Sequence, residues 1–396
     1  MNILIVGGTF SNSPDEVKRS GVLRKMLEHI DNINAYTHCI EALAANSGTI
    51  ETLEVLVDAP IKEDADVTIW MPNITNEEPK HYPRKKQGSV LICSKVMREG
   101  YTRADSISRI FKMHGNAVIE IRKDEKSGMV SFILVDALGN IWYNGNDIPS
   151  LMTSIMSFVA FTKSAKRVNT TKACELYVPV DKYFRDNKEN LAKLLEINKK
   201  LQKHIHTSCG SRFFGNVSTR CQKLFPSARV TSETKVSFEH DKMYVSPRNT
   251  DKESLSPEDM VLYFGATDSY CGDRKPSVDS PVQVRLYKQM PNINFMIHGH
   301  AQIGIEGAVM TKHYTLCGDI NEADEILKVV DKDANSFIIN LLGHGFLVGA
   351  SSVDQLERMV DKMIGQGGFS ITGNENVRAA INERGIQETG VCSDQR

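Results

Sequence analysis

Asn294-Phe295-Met296-Ile297-His298-Gly299-His300-Ala301 reads as a β-strand, and its period of 2 places the His298 and His300 rings on the same face. Two adjacent imidazoles make half of a metal site. Gly299 leaves the opposite face bare and permits close packing behind them. A second apolar strand, Phe337 to Leu342, runs into Gly343-His344-Gly345, so a third imidazole stands at a strand end between two flexible residues. Three neutral histidines with an open fourth position are the arrangement of a catalytic zinc, so His298, His300 and His344 are the expected ligands of Zn2+ or another divalent metal. His204 and His206 also form a His-x-His pair, but on an amphipathic helix, where positions i and i+2 diverge by about 200° and cannot chelate one ion. They are assigned to solvent. His29, His38, His81, His114, His240 and His313 stand alone and read as surface or satisfied core histidines.

Around this strand the pattern is that of an α/β domain spanning residues 172–372. Leu191, Leu194, Leu195, Leu201 and Ile205 recur at helical spacing near its start. Near its end, Ser352 with Gln355 reads as a capping box, followed by an apolar stripe of Val353, Leu356, Val360, Met363 and Ile364. Upstream, Thr162 to Cys174 turns polar and basic and loses apolar periodicity, which marks a domain boundary. Residues 1–167 alternate strand-like runs (Ile3 to Val6, Val67 to Met71, Val90 to Cys93, Ala117 to Ile121, Val130 to Val135) with helix-like ones (Gly21 to His29, Asp105 to Met113). That rhythm predicts a Rossmann-like α/β domain with a largely parallel sheet, closed by a buried helix that opens at Asp147 and Pro149. Residues 373–396 read as a weak helix or loose tail.

Composition narrows the function classes. Across 396 residues, 48 Lys and Arg nearly cancel 49 Asp and Glu, so no long-range field attracts a polyanion, and neither nucleic acid nor an acidic membrane is expected as partner. Eight scattered cysteines without a Cys-x-x-Cys pair read as reduced thiols. The longest apolar run, Ile148 to Phe161, is broken by Ser and Thr and is shorter than the roughly 20 residues of a membrane span. Met1 to Gly8 lacks the basic flank and the length of an export signal, and the protein is expected in the cytoplasm. Gly7-Gly8 after the first strand is compatible with a phosphate cradle or with a tight turn. The basic run His81, Arg84, Lys85, Lys86 reads most simply as a solvated loop.

Several motifs of the second domain occur in one order that resembles the class II aldolase and adducin family. They are Phe214-Gly215-Asn216-Val217-Ser218, then Val245-Ser246-Pro247, then Pro276-Ser277-Val278-Asp279-Ser280-Pro281 ahead of Leu286 and Tyr287, then Pro291, the His298 and His300 pair, and His344-Gly345. The resemblance runs from about Ala173 to Gly368 and implies a class II aldolase-like α/β/α domain. It also implies a metal-dependent lyase that cleaves or forms a carbon–carbon bond in a small phosphorylated ketose or similar hydroxy-ketone through a metal-stabilised enediolate. The family's alternatives are a sugar phosphate 4-epimerase working by retro-aldol chemistry and a non-catalytic adducin-like binding module. Its members form rings of four, which implies a homotetramer.

The same resemblance implies roles. Asp279 stands where the aldolases have a glutamate and the epimerases an aspartate that moves the proton; the competing reading is a helix N-cap before Ser280-Pro281. Tyr314 stands where aldolases have a tyrosine that protonates the departing aldehyde oxygen from a neighbouring subunit; a lone tyrosine in an apolar region is otherwise a packing residue. No tyrosine follows Tyr314, so the epimerases' later tyrosine has no counterpart. Substrate phosphate would meet backbone N–H groups at Gly215 and Asn216 and the hydroxyls of Ser246 and Ser277. Arg248 and Asn249 replace the Thr-Gly found in sugar phosphate aldolases, so Arg248 either forks onto the phosphate or blocks its pocket.

Overall fold

The computed structural model describes residues 66–70, 88–166, 188–205, 208–209, 212–221 and 242–371, and the backbone alone of the strands at 2–7, 9–10, 51–56, 73–74 and 172–173. Gly8, the helix expected at Gly21 to His29, the basic run from His81 to Lys86, His38, His206, His240 and residues 373–396 lie outside the described residues. The chain divides after Ser164 into two units, one built on Met1–Ser164 and one on Ala165–Thr372. Among the described residues no helix is long and apolar enough to cross a membrane.

The first unit holds a seven-stranded sheet. Its strands are β1 (Asn2–Gly7), β2 (Glu51–Leu56), β3 (Val67–Trp70), β4 (Val90–Val96), β5 (Ala117–Lys123), β6 (Val130–Asp136) and β7 (Ile141–Gly145), in the order β2-β1-β3-β4-β5-β6-β7. The pairings from β2 to β5 are parallel, and the short apolar runs of β3 and β4 are buried as parallel strands require. The last two strands depart from the parallel expectation. They pair antiparallel, because the link from Lys123 to Val130 is far shorter than the dozen or so residues of a crossover. Helix α1 (Arg103–Lys112) links β4 to β5, and α2 (Ile148–Ser164) follows β7. As expected, Asp147 starts α2: its Oδ2 accepts the Ser150 N–H at 2.8 Å. Leu151, Met152, Ile155, Phe158 and Val159 of α2 are buried, and the Trp142 ring stands edge-on to Phe158 at 4.9 Å.

The second unit is built on a nine-stranded sheet: β8 (Lys172–Ala173), β9 (Asn216–Arg220), β10 (Lys242–Val245), β11 (Val261–Phe264), β12 (Ser269–Cys271), β13 (Phe295–Gly299), β14 (Val309–Met310), β15 (Ser336–Leu341) and β16 (Gly345–Ala350). Their order is β8-β12-β11-β10-β9-β13-β16-β15-β14, and the central pairings are antiparallel. Alternation sorts the strand residues onto two cores. Tyr244, Leu262, Ile297 and Val348 pack with Leu191, Leu194 and Leu201 of α3 (Lys188–Gln202) and with Leu356, Val360 and Met363 of α6 (Val353–Gly365). Met243, Tyr263, Met296 and Leu347 pack with Val282, Leu286 and Tyr287 of α4 (Ser280–Gln289) and with Ala323 and Ile326 of α5 (Asn321–Leu327). The sheet therefore carries helices on both faces.

Two details differ from the sequence reading. Helix α3 ends at Gln202, and His204 lies in the following turn, where its N–H reaches Leu201 O at 3.0 Å; it is exposed, as expected, but not on the helix. The capping box of α6 is half made. Ser352 Oγ accepts the Gln355 N–H at 3.2 Å, but the Gln355 side chain instead accepts from Ser351 Oγ at 2.8 Å.

Candidate metal centre

Register brings the three imidazoles together. Strand β13 lies between β9 and β16, with Asn216 opposite His298 on one side and Leu347 opposite it on the other. His344 sits in the tight turn between β15 and β16, its N–H bonded to Leu341 O at 3.0 Å, with only Gly345 between it and the Phe346 that pairs Gly299. That turn depends on Gly345: its φ of 145° lies outside ordinary side-chain territory, and a Cβ there would collide with Gly299 O. Behind the site, a Cβ on Gly299 would meet the Phe346 ring at 2.5 Å, so the bare face is occupied by close packing.

One ligand atom from each of His298, His300 and His344 lies within 4.8 Å of the other two. The ring centroids are 4.8 to 5.1 Å apart, with the rings turned edge to face. Each of the two most buried rings is oriented from behind. His298 Nδ1 donates to Phe346 O at 2.7 Å, and His344 Nδ1 donates to Glu322 Oε1 at 2.6 Å, itself accepting from Thr315 Oγ1 at 2.9 Å. This leaves Nε2 as the unprotonated nitrogen of neutral His298, and as the nitrogen that His344 offers once a cation displaces its second proton. His298 Nε2 and His344 Nε2 are buried without a hydrogen-bond partner among the described residues. Buried nitrogens are seldom left so, and a divalent cation fits what these two lack. His300 is partly exposed and is stacked on Phe214 at 5.0 Å, with 12° between the planes.

The electrostatics separate the three rings. Burial, then the charge of His344, holds His298 below the ordinary imidazole range against the pull of Asp279. Burial and its two neighbours hold His300 well below that range. His344 goes the other way: burial opposes its charge, but Glu322 and Cys317 outweigh burial and hold it well above the range.

Asp279 stands at the edge of this group, its Oδ2 4.0 Å from His298 Nε2. It occupies the N-cap position of α4, but its side chain makes no capping hydrogen bond, so the N-cap reading does not account for it. Instead Oδ1 accepts from Gly318 N at 2.9 Å and Cys317 Sγ at 3.3 Å, and Oδ2 accepts from Asn216 Nδ2 at 3.1 Å and Ser277 Oγ at 3.4 Å. Burial pushes its carboxyl up, but His298, His344 and these donors prevail and leave it below the ordinary range, hence ionised. Burial and Asp279 push the Cys317 thiol up to about 11.

The phosphate residues divide. Asn216 is committed inside the protein: its Oδ1 accepts from Gln283 Nε2 and its amide holds Ser277 and Asp279. Ser246 is fully buried, and its Oγ accepts the Val217 N–H at 3.2 Å. Its role in the structure is to brace β9. Gly215 has a φ of 73°, and a Cβ there would lie 2.5 Å from His298 O, so the glycine lets this loop close on β13. Ser277 Oγ contacts Asn216 and Asp279 as described, and Arg248 is exposed, its charge felt at Asp279 and Cys317. Tyr314 is 0% exposed within its own chain, the burial that its packing reading expects. Sequence reasoning missed Glu322, Cys317 and Thr315. The only signal for Glu322 was an acidic residue on a short helix.

The Class II Aldolase and Adducin N-terminal domain model matches residues 192–312. No curated protein matches the chain. Among solved structures, YgbL from Klebsiella pneumoniae is 15% identical, with a TM-score of 0.33 over 46% of this chain and 87% of that one. L-fuculose 1-phosphate aldolase from Glaciozyma antarctica PI12 is 16% identical, with a TM-score of 0.31 over 55% of this chain and 88% of that one. The N-terminal class II aldolase domain of a conserved Thermoplasma acidophilum protein is 13% identical, with a TM-score of 0.29 over 50% and 97%. Residues 192–312 thus match the class II aldolase and adducin family that the order of their motifs resembles.

Proposed function

We propose that the second unit is a metal-dependent lyase that cleaves or forms a carbon–carbon bond in a small phosphorylated ketose or similar hydroxy-ketone. The observation that carries this reading is the pair of buried Nε2 atoms of His298 and His344, without a hydrogen-bond partner among the described residues, in a group with His300 whose ligand atoms lie within 4.8 Å of one another. These three residues would hold the cation, zinc or another divalent ion. When bound, it supplies the Lewis acid that polarises the substrate oxygens and offsets the charge released as the bond breaks. Asp279 Oδ2, ionised and 4.0 Å from His298 Nε2, accepts the substrate proton and returns it. Asn216 and Ser277 orient that carboxylate from one side, and Gly318 fixes its other oxygen. Arg248, exposed, offers its planar fork to the substrate phosphate, and Gly215 and Ser277 are the further donors expected for it; Asn249 Oδ1, next in the chain, accepts the Phe213 N–H at 2.9 Å.

A 4-epimerase is the second reading, favoured by the aspartate at position 279, the residue that the epimerases have there. An adducin-like binding module has no use for three convergent imidazoles. We extend the reading to a homotetramer in the cytoplasm on the resemblance alone, and to a Rossmann-like first unit on the strand order β2-β1-β3-β4-β5, which is that of one doubly wound family of sheets. The test is to incubate the zinc-loaded full chain with phosphorylated ketoses and trap released aldehyde with a coupled dehydrogenase. Aldehyde release abolished by Asp279→Asn supports the lyase. Conversion to a stereoisomer without free aldehyde supports the epimerase, and no turnover of any ketose phosphate counts against both.

A further inference from the structure

A second set of donors converges on the same histidine. Asp279, Cys317 and His344 each place one ligand atom within 4.8 Å of the other two. Two other buried charges are answered within the protein: Glu120 pairs with Arg103 and Arg122, and the Lys252 ammonium donates to Thr250 O at 2.6 Å. His344 is fully buried, and its Nε2 is not answered. Cys317 lies against the same ring, and its Sγ donates to Asp279 Oδ1 at 3.3 Å. The thiol is held there by the Gly318 N–H to the same oxygen, so the loop and the carboxylate are fixed to each other.

We infer that Asp279, Cys317 and His344 form a second seat for a thiophilic divalent cation, alternative to the seat between the three imidazoles. The inference rests on the reading of His344 as a metal ligand. Its Nδ1 is engaged by Glu322, so Nε2 has one lone pair to give, and His344 serves one seat at a time. A thiolate, an imidazole and a carboxylate select zinc or cadmium over magnesium or manganese. Binding breaks the Cys317 S–H bond, and the Nε2–H bond of His344 where that ring is charged, forms the sulfur–metal and nitrogen–metal bonds, and releases those protons to solvent. Occupation of this seat also removes Asp279 as a proton acceptor, so excess zinc or cadmium inhibits where manganese does not.

The test uses the metal-free full chain carrying His300→Ala, which disables only the three-imidazole seat. Cadmium is titrated while the near-ultraviolet absorbance of thiolate bound to cadmium is followed, with His300→Ala/Cys317→Ser as the comparison. The expected result is an absorbance that saturates in His300→Ala and is lost in the double variant. Equal absorbance in both, or none in either, overturns the inference; His300→Ala/Cys317→Ala repeats the comparison should the serine variant fail to fold. Zinc content of the wild type and of Cys317→Ser separates the two readings. Zinc retained by both while the cadmium result is negative leaves the three-imidazole seat standing and removes only the second, whereas a wild type that binds neither metal removes both.

Discussion

Glu322 sets the ring of His344, and no motif announces it. The carboxylate is buried, accepts from His344 Nδ1 at 2.6 Å, and is steadied by Thr315, so it fixes the tautomer and raises the ring's basicity towards a cation. Glu322→Gln keeps the size and an acceptor but loses the charge; its metal affinity is expected to fall about 10- to 100-fold in a competition titration with a chelator. An unchanged affinity would show that the ring is oriented by other means. The imidazoles were legible because a period-2 strand with two histidines has few alternative uses, and Asp279 was legible through the family motif. Glu322 and Cys317 were not, because their partners lie 22 and 38 residues away and only the fold sets those distances. Tyr314 shows the converse: its motif position is read from the sequence, whereas its full burial follows from the fold.

At the scale of elements, the site is a consequence of the β15–β16 hairpin laid against β13. Gly345 makes that possible, because any side chain there needs an unfavourable φ and strikes Gly299 O. Gly345→Ala is therefore expected to lower stability by about 1–3 kcal/mol from the backbone strain alone, and to lose bound metal with it. Denaturant unfolding and metal analysis of the same sample check both; a variant as stable as the wild type that keeps its metal would contradict this account of the turn. Helices α3 and α6 were readable from their apolar stripes, since Leu191, Leu194, Leu201, Leu356 and Val360 are all buried. The half-made cap of α6 was not, because Gln355 chooses between two nearby hydroxyl-bearing residues and only geometry decides. In the first unit the alternation of strands and helices was readable, whereas the turn to antiparallel pairing after β5 depended on the length of one short connection.

At the scale of the whole molecule, metal binding is coupled to stability of the second unit. Folding brings the end of one strand, with His298 and His300, against a hairpin turn whose His344 lies far along the sequence, so a cation held between them favours the folded state. At a free concentration about 100 times its dissociation constant, a bound ion adds about 2.7 kcal/mol of stability. Chelation of the full chain is accordingly expected to lower the Tm of one calorimetric transition and leave the other in place, because the site belongs to one of the two units. Loss of stability in both transitions, or in neither, would contradict this. The near cancellation of charge is read from 48 basic and 49 acidic residues, and the change of pattern from Thr162 to Cys174 is read from the sequence in the same way. The central claim, that His298, His300 and His344 hold one divalent cation, is tested most directly by the metal content of purified full-length protein beside His298→Ala. The account predicts one equivalent in the wild type and its loss in the variant; a metal-free wild type after exposure to zinc, or a variant that keeps its ion, would contradict it.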